Sequence, residues 1–240
     1  MKIDSYQNKK FSILGDSIST FEGRSEPDYA AFYDLAHKLE ADVLVSGDTW
    51  WGAVIEQLGG ELLVNNSFAG STVCWSPRYE IQSYACSAER TSSLGIFGCE
   101  PDVIMVYVGT NDWGKGTPLY DDGLHEYPKE TPPVFYPAYK LMIERLKNNY
   151  PQAEIWCFTL AKSCQSDSSD FVFPYCYAGR HIEEYCGVIR KVAAELGCRL
   201  IDLYACAEPY DTIDGYHPNA NGMQAIAKAV LQEVARQEIN

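Results

Sequence analysis

Residues 10–19, with the sequence KFSILGDSIS, predict a buried strand followed at once by a tight turn. The apolar residues form a short and nearly continuous run, which is typical of a strand covered on both faces. Four other stretches have the same character, and they are residues 62–65, 103–108 (VIMVYV), 155–160 and 200–204. The sequence therefore predicts five strands of a largely buried sheet.

Amphipathic segments separate these predicted strands. Apolar residues recur at helical spacing in four places, and Gly or Pro follows directly after three of them. These stripes lie at residues 51–58, 139–150, 182–196 and 223–234. Alternation of strands and helices is typical of an α/β fold with a parallel sheet and helices on both faces. The 240 residues suit one domain, residues 1–240.

Composition excludes several classes of function. The formal net charge of −14 argues against a nucleic-acid partner, because binding phosphate backbones requires a basic surface. No stretch approaches the ~20 apolar residues of a membrane span. The first apolar run is too short for a signal peptide, so we expect a cytoplasmic protein. The nine cysteines contain no C-x-x-C pair, which favours reduced thiols and predicts no metal site.

Four of the predicted strands are followed by polar residues or glycine suited to catalysis. Ser17 follows the first strand, Gly70 comes after the second, Asn111 follows the third, and Asp214 and His217 come after the fifth. Ligands of parallel α/β sheets bind beyond the carboxyl ends of the strands. We therefore expect these residues to meet at one edge of the sheet.

These residue types fit nucleophilic catalysis by a serine. A serine hydroxyl needs a base to take its proton, and the base needs a partner that orients it. His217 is the predicted base, and Asp214, three residues earlier, is its predicted partner. The developing oxyanion needs donors, which we assign to the backbone N–H groups of Ser17 and Gly70 and to the side-chain amide of Asn111. No nucleotide-binding or flavin-binding glycine motif is present, so we expect no cofactor.

In this order, the motifs resemble those of the SGNH hydrolases, also called GDSL esterases and lipases. Residues 15–17 (GDS) match the first block, with Ile18 where the usual motif has Leu, and Gly70 within NNSFAGST is similar to the second. Residues 109–112 (GTND) match the third block, and residues 214–218 (DGYHP) match the fifth. The resemblance implies a carboxylic ester hydrolase with a three-layer α/β/α sandwich. It also implies a flavodoxin-like, five-stranded parallel sheet of order 2-1-3-4-5, in which Ser17 and Asn111 are neighbours.

The resemblance leaves the substrate open among sugar O-acetyl esters, short-chain esters, lysophospholipids and thioesters. Trp75 and Trp113 lie near the proposed site in sequence, and aromatic faces suit a sugar ring. We therefore predict a small-molecule ester substrate, an acetylated saccharide, bound by these two rings. The alternative is that such rings only pack the long connection 113–138 onto the sheet. An inactive carbohydrate-binding module is disfavoured, because Ser17, Asn111, Asp214 and His217 are all present.

Overall fold

The computed structural model describes residues 4–75, 84–121, 123 and 126–239. Its centre is a five-stranded parallel sheet in the order β2-β1-β3-β4-β5, which confirms the predicted order 2-1-3-4-5. The strands are β1 (Lys10–Gly15), β2 (Glu61–Ser67), β3 (Val103–Tyr107), β4 (Glu154–Phe158) and β5 (Arg199–Ile201). Among the described residues, two short strand pairs lie outside this sheet, Ser163–Cys164 with Tyr210–Asp211, and Cys176–Tyr177 with Arg180–His181.

The last strand is shorter than the sequence predicts. It was expected to run to residue 204 but ends at Ile201, and the chain turns into a short helix, Leu203–Cys206. The cause is a side-chain bridge from the end of β4. The Thr159 hydroxyl donates to Asp202 at 2.9 Å and accepts the Tyr204 N–H at 2.9 Å, and this bends the chain out of the sheet.

The four predicted amphipathic stripes lie on the four longest helices, as expected. Glycines in the left-handed conformation end two of them, Gly59 with φ 72° and Gly197 with φ 63°. The helices are α1 (Leu35–Ala41), α2 (Trp50–Leu58), α3 (Ala88–Ser92), α4 (Thr110–Gly114), α5 (Phe135–Asn149), α6 (Ile182–Leu196), α7 (Leu203–Cys206) and α8 (Ala220–Ile239). Short 3-10 turns lie at Asp4–Tyr6, Ser17–Ser19 and Ser46–Asp48.

Alternate side chains of the strands enter two separate hydrophobic cores. Phe11 and Met105 pack on one face with apolar residues of α2 and α8. Leu14 and Val106 pack on the other face with residues of α5 and α6. Because successive strand residues point to opposite faces, the sheet is the middle layer of a three-layer α/β/α sandwich. Within the described ranges, no helix is long and apolar enough to cross a membrane.

Candidate active site

The turn after β1 presents Ser17 at the carboxyl edge of the sheet. Gly15 pairs with Ser67 of β2 and with Tyr107 of β3, so the three strand ends lie level. A Cβ atom at Gly15 would lie 2.7 Å from the Ser67 Oγ atom, so only glycine fits at this crowded point. Asp16 then caps the 3-10 turn, because its carboxylate accepts the Ile18 N–H at 3.1 Å. The strand therefore ends in a turn that leaves Ser17 half-buried.

A hydrogen-bonded chain joins Asp214, His217 and Ser17. The His217 Nδ1 atom lies 2.6 Å from Asp214 Oδ2, and its Nε2 atom lies 2.9 Å from Ser17 Oγ. The other Asp214 oxygen accepts the backbone N–H groups of Tyr216 at 2.9 Å and His217 at 2.8 Å. Desolvation opposes ionisation of Asp214, but the hydrogen bonds from the His217 ring and backbone hold the pKa of this carboxyl below its ordinary value. Asp214 is therefore an ionised partner for the imidazole.

Gly70 and Asn111 lie close together, because the Asn111 side chain bonds to the residue that follows Gly70. Asn111 lies in the first turn of α4, and its amide donates to the Ser71 carbonyl at 3.0 Å. Gly70 has φ +79°, and a Cβ atom there would meet no atom within 4 Å. No atom blocks the Cβ direction at Gly70, and donation by its N–H to an oxyanion stays a prediction.

Buried Asp112 fixes the segment that follows Gly70. Its two carboxylate oxygens accept the N–H groups of Val73 at 2.7 Å and Cys74 at 3.2 Å. Burial raises the pKa of the Asp112 carboxyl to about 6, because these hydrogen bonds only partly offset the cost of desolvating a charge. Asp112 thus ties the segment after Gly70 to the helix that carries Asn111.

Arg90 of α3 also holds the segment that follows Gly70. It is 1% exposed, and burial lowers the pKa of its guanidinium to about 10. Its donors reach the Gly15 carbonyl at 2.9 Å, the Asn66 side chain at 2.9 Å, the Asn66 carbonyl and the Ser71 hydroxyl. One buried cation therefore joins the ends of β1 and β2 to the Gly70 segment. No motif in the sequence identifies this role for Arg90.

The loop before α1, which contains Phe32 and Tyr33, lies on the His217 side of Ser17. The sequence analysis did not identify this contact either. The Phe32 ring stacks on the His217 imidazole, with ring centroids 3.4 Å apart and an interplanar angle of 9°. The buried Tyr33 hydroxyl donates to the Pro218 carbonyl at 2.7 Å. Nothing in the sequence around this loop carries a periodic or motif signal that would have found these contacts.

The two predicted substrate-binding tryptophans have different positions. Trp113 is 1% exposed and packs against Phe173 at 5.5 Å and Tyr177 at 4.8 Å between ring centroids. Its ring has no face open to a ligand, so the expected sugar contact is wrong for Trp113, and the packing alternative describes it. Trp75 is 38% exposed, and binding of substrate by its ring stays a prediction.

The arrangement places a hydroxyl, a basic nitrogen with an ionised partner, and three candidate oxyanion donors at one sheet edge. That combination on a three-layer α/β/α sandwich defines the SGNH class of hydrolases, in which an ester is the substrate. The chain belongs to the GDSL-like lipase and acylhydrolase family, whose sequence model matches residues 9–177. It is a carboxylic ester hydrolase.

Solved structures support the same assignment. A GDSL-like lipase from Bacteroides uniformis is 31% identical, with a TM-score of 0.70 over 95% of this chain and 96% of that one. A GDSL-like lipase from Bacteroides ovatus is 28% identical, with a TM-score of 0.72 over 96% and 99% of the two chains. A carbohydrate acetylesterase from Sinorhizobium meliloti shares the fold at 15% identity, with a TM-score of 0.61 over 96% and 100% of the chains. A search of curated protein sequences gave no match.

Proposed function

We propose that this chain is a serine esterase that removes small acyl groups, in particular acetyl, from saccharides through an acyl-enzyme. Ser17 is the nucleophile, His217 the general base and acid, and Asp214 the group that orients the imidazole. The observation that carries the proposal is the continuous hydrogen-bonded chain, at 2.6 Å from Asp214 to His217 and 2.9 Å from His217 to Ser17. Both distances lie within the range expected between a nucleophile, its base and the orienting group.

The geometry supports the following sequence of steps. His217 takes the Ser17 proton through Nε2 as Oγ attacks the ester carbonyl carbon. The negative charge that develops on the carbonyl oxygen faces the Asn111 amide and the N–H groups of Gly70 and Ser17. His217 then protonates the leaving alcohol, which leaves Ser17 acylated. A water molecule, deprotonated by His217, attacks the acyl group, and the acid leaves as Ser17 recovers its proton.

Aromatic rings beside the Gly70 segment support a saccharide as the leaving group. Phe68 packs edge-on against Tyr29 at 5.2 Å between ring centroids, and Ala69 donates its N–H to the Ala30 carbonyl at 2.8 Å. These half-buried rings lie next to the Gly70 segment, exposed Trp75 follows that segment in the chain, and sugar rings pack well on aromatic faces. The Sinorhizobium meliloti neighbour, which shares the fold, is named a carbohydrate acetylesterase. This likeness agrees with the proposal.

The test is a substrate screen on the purified chain. It compares p-nitrophenyl acetate, butyrate and octanoate, an acyl-CoA thioester, a lysophospholipid and a peracetylated disaccharide. We expect acetate to exceed octanoate in kcat/KM and acetate to be released from the disaccharide. Ser17→Ala should lose turnover and covalent labelling by a fluorophosphonate, because only an activated serine reacts readily with that probe. The control is Ser92→Ala, which removes an exposed hydroxyl on α3.

Each alternative predicts a different result in this screen. Faster octanoate or lysophospholipid cleavage would replace the acetyl proposal with a lysophospholipase, and faster thioester cleavage with a thioesterase. Labelling that persists in Ser17→Ala would show that the nucleophile lies elsewhere in the chain.

A further inference from the structure

Phe32 is enclosed between two imidazole rings. The His217 ring lies 3.4 Å from it between centroids at an angle of 9°, and the His37 ring lies 4.4 Å from it at 33°. One face of a phenyl ring has no room for two imidazoles at these separations, so the two histidines lie on opposite faces. The result is a three-ring stack, His37–Phe32–His217, with the His217 imidazole at its inner end.

The outer end of the stack is fixed by the start of α1. His37 lies in the first turn of this helix, and its Nδ1 atom lies 2.9 Å from Asp34 Oδ1. Asp34 also caps the helix, because its side chain accepts the His37 backbone N–H at 3.0 Å. The His37 ring is therefore held by its own helix cap and braces the outer face of Phe32.

The backbone of Phe32 is bonded to the nucleophile turn. The Phe32 N–H donates to the Thr20 hydroxyl at 2.9 Å, and that hydroxyl donates to the Ser17 carbonyl at 2.8 Å. The neighbouring Tyr33 hydroxyl donates to the carbonyl of Pro218, directly after His217, at 2.7 Å. This loop therefore contacts both members of the Ser17–His217 pair, which are 200 residues apart in the chain.

We propose that Phe32 is a positioning residue for the catalytic imidazole. This inference rests on the function proposed above. The stack fixes the plane of the His217 ring, so that Nε2 points at Ser17 Oγ while Nδ1 points at Asp214. The hydrogen bond to Asp214 alone does not fix that plane, because the Asp214 side chain is 43% exposed and water competes for it. The face of Phe32 also stabilises the imidazolium that forms as Ser17 attacks, by a cation–π interaction.

The size of the effect follows from the geometry required. A displacement of about 1 Å in a catalytic group costs about 10²-fold in rate. Loss of the cation–π contact without any displacement costs about 2- to 30-fold. We therefore expect a fall in kcat of about 10- to 100-fold when the ring is removed. KM for a small ester should change little, because Phe32 acts through His217.

The test compares Phe32→Leu, Phe32→Tyr and His37→Ala, with kcat and KM for p-nitrophenyl acetate, the rate of fluorophosphonate labelling and Tm measured for each. Phe32→Leu should lower kcat and the labelling rate together, and Phe32→Tyr should restore both because it restores the ring. His37→Ala should cost about twofold to fivefold in kcat, since it removes only the outer brace. Tyr136→Leu is the control, because it removes a half-buried ring on α5 that packs on Tyr120.

Unchanged kcat in Phe32→Leu, or an effect on KM alone, would overturn the proposal. So would an equal fall in kcat for Phe32→Leu and Phe32→Tyr, since the ring would then not be the cause. If Phe32→Leu does not fold, the role of Phe32 is tested with Phe32→Met and His37→Ala by the same criteria. Methionine also fills much of the space of the ring. Ser17→Ala, measured alongside, separates the two hypotheses. Activity in that variant refutes the proposed function, whereas an inactive Ser17→Ala beside a fully active Phe32→Leu refutes only the role of Phe32.

Discussion

The base side of the site, around His217, and the oxyanion side, around Gly70 and Asn111, are held in place by different interactions. On the base side, an aromatic stack and a carboxylate that is 43% exposed hold the imidazole. On the oxyanion side, Arg90 at 1% exposure and Asp112 at 0% hold the backbone by hydrogen bonds. The first set is open to solvent, and the second set places two charges inside the protein.

This difference separates activity from stability. Removing one partner of a buried charged network leaves groups without hydrogen bonds, and that lowers the free energy of unfolding. Removing a half-exposed group leaves water to replace it, so the fold tolerates the change. Substitutions on the base side should therefore act on kcat with little change in Tm, whereas those on the oxyanion side should alter both.

The largest effect is expected on the base side, from Asp214→Asn. This change leaves His217 without the acceptor that fixes its tautomer, and in a serine protease the equivalent change costs about 10⁴-fold in kcat. We expect a loss of that order for p-nitrophenyl acetate, with Tm close to that of the parent. The control is Asp42→Asn, at the exposed left-handed end of α1. A shift in Tm as large as that of an oxyanion-side variant would contradict the comparison.

The carboxyl groups of the site determine how the activity depends on pH. The pKa of Asp214 is held below its ordinary value, so Asp214 stays ionised well below neutral pH, whereas burial raises the pKa of the Asp16 and Asp112 carboxyls to about 6. Activity should therefore fall toward low pH as Asp16 and Asp112 take up protons, while Asp214 is still ionised. Activity that stays constant down to the ordinary aspartate pKa of 3.8 would contradict this prediction.

A smaller effect is expected from Asn111→Ala on the oxyanion side. Removing one side-chain donor from an oxyanion hole lowers kcat by about 10²–10³-fold. KM should change little, because the interaction forms only in the transition state. The variant also leaves the Ser71 carbonyl without the amide that donates to it at 3.0 Å, so Tm should fall as well. A change in KM alone would make Asn111 a binding residue.

The smallest effect concerns Asp112→Asn and the pH dependence of stability. The native Asp112 carboxyl keeps its proton up to a pKa of about 6, whereas the unfolded chain loses it near the ordinary value of 3.8. The native state therefore binds more protons between these values, and the free energy of unfolding falls as the pH rises through this window. One such group contributes a slope of about 1.4 kcal/mol per pH unit.

Urea denaturation of Asp112→Asn at a series of pH values measures this slope. The variant should lose that part of the dependence between pH 4 and 6, while Asp42→Asn should keep it. An unchanged slope in Asp112→Asn would show that the buried carboxyl does not take up a proton on folding.

Much of the fold and part of the site follow from local patterns. Buried strands, amphipathic helices and glycine stops are encoded within about ten residues, so the five strands and the four long helices are predicted correctly. The sheet order came instead from the resemblance to the SGNH hydrolases. Ser17, Asn111 and the Asp214–His217 pair each follow a strand end or lie three residues apart, and the fold brings them together. The predicted end of β5 was wrong, because hydrogen bonds from the Thr159 side chain, far away in sequence, end the strand earlier.

The contacts that the sequence does not reveal are long-range. Phe32 meets His217, and Arg90 meets Gly15 across 75 residues, through geometry that no local pattern records. Trp113 shows the converse. It directly follows a catalytic-type motif, but α4 turns its side chain into the core, where it is 1% exposed. Proximity in sequence to the site therefore did not predict exposure to substrate.

Arg90 affects which parts of the protein open together in local unfolding. Its guanidinium bonds to Gly15 at the end of β1, to Asn66 at the end of β2 and to Ser71 in the segment after Gly70. Opening that segment alone would leave a buried cation with unpaired donors, so the segment opens together with the two strands as one cooperative unit. Amide protons around Gly70 should then exchange with solvent as slowly as those of the sheet.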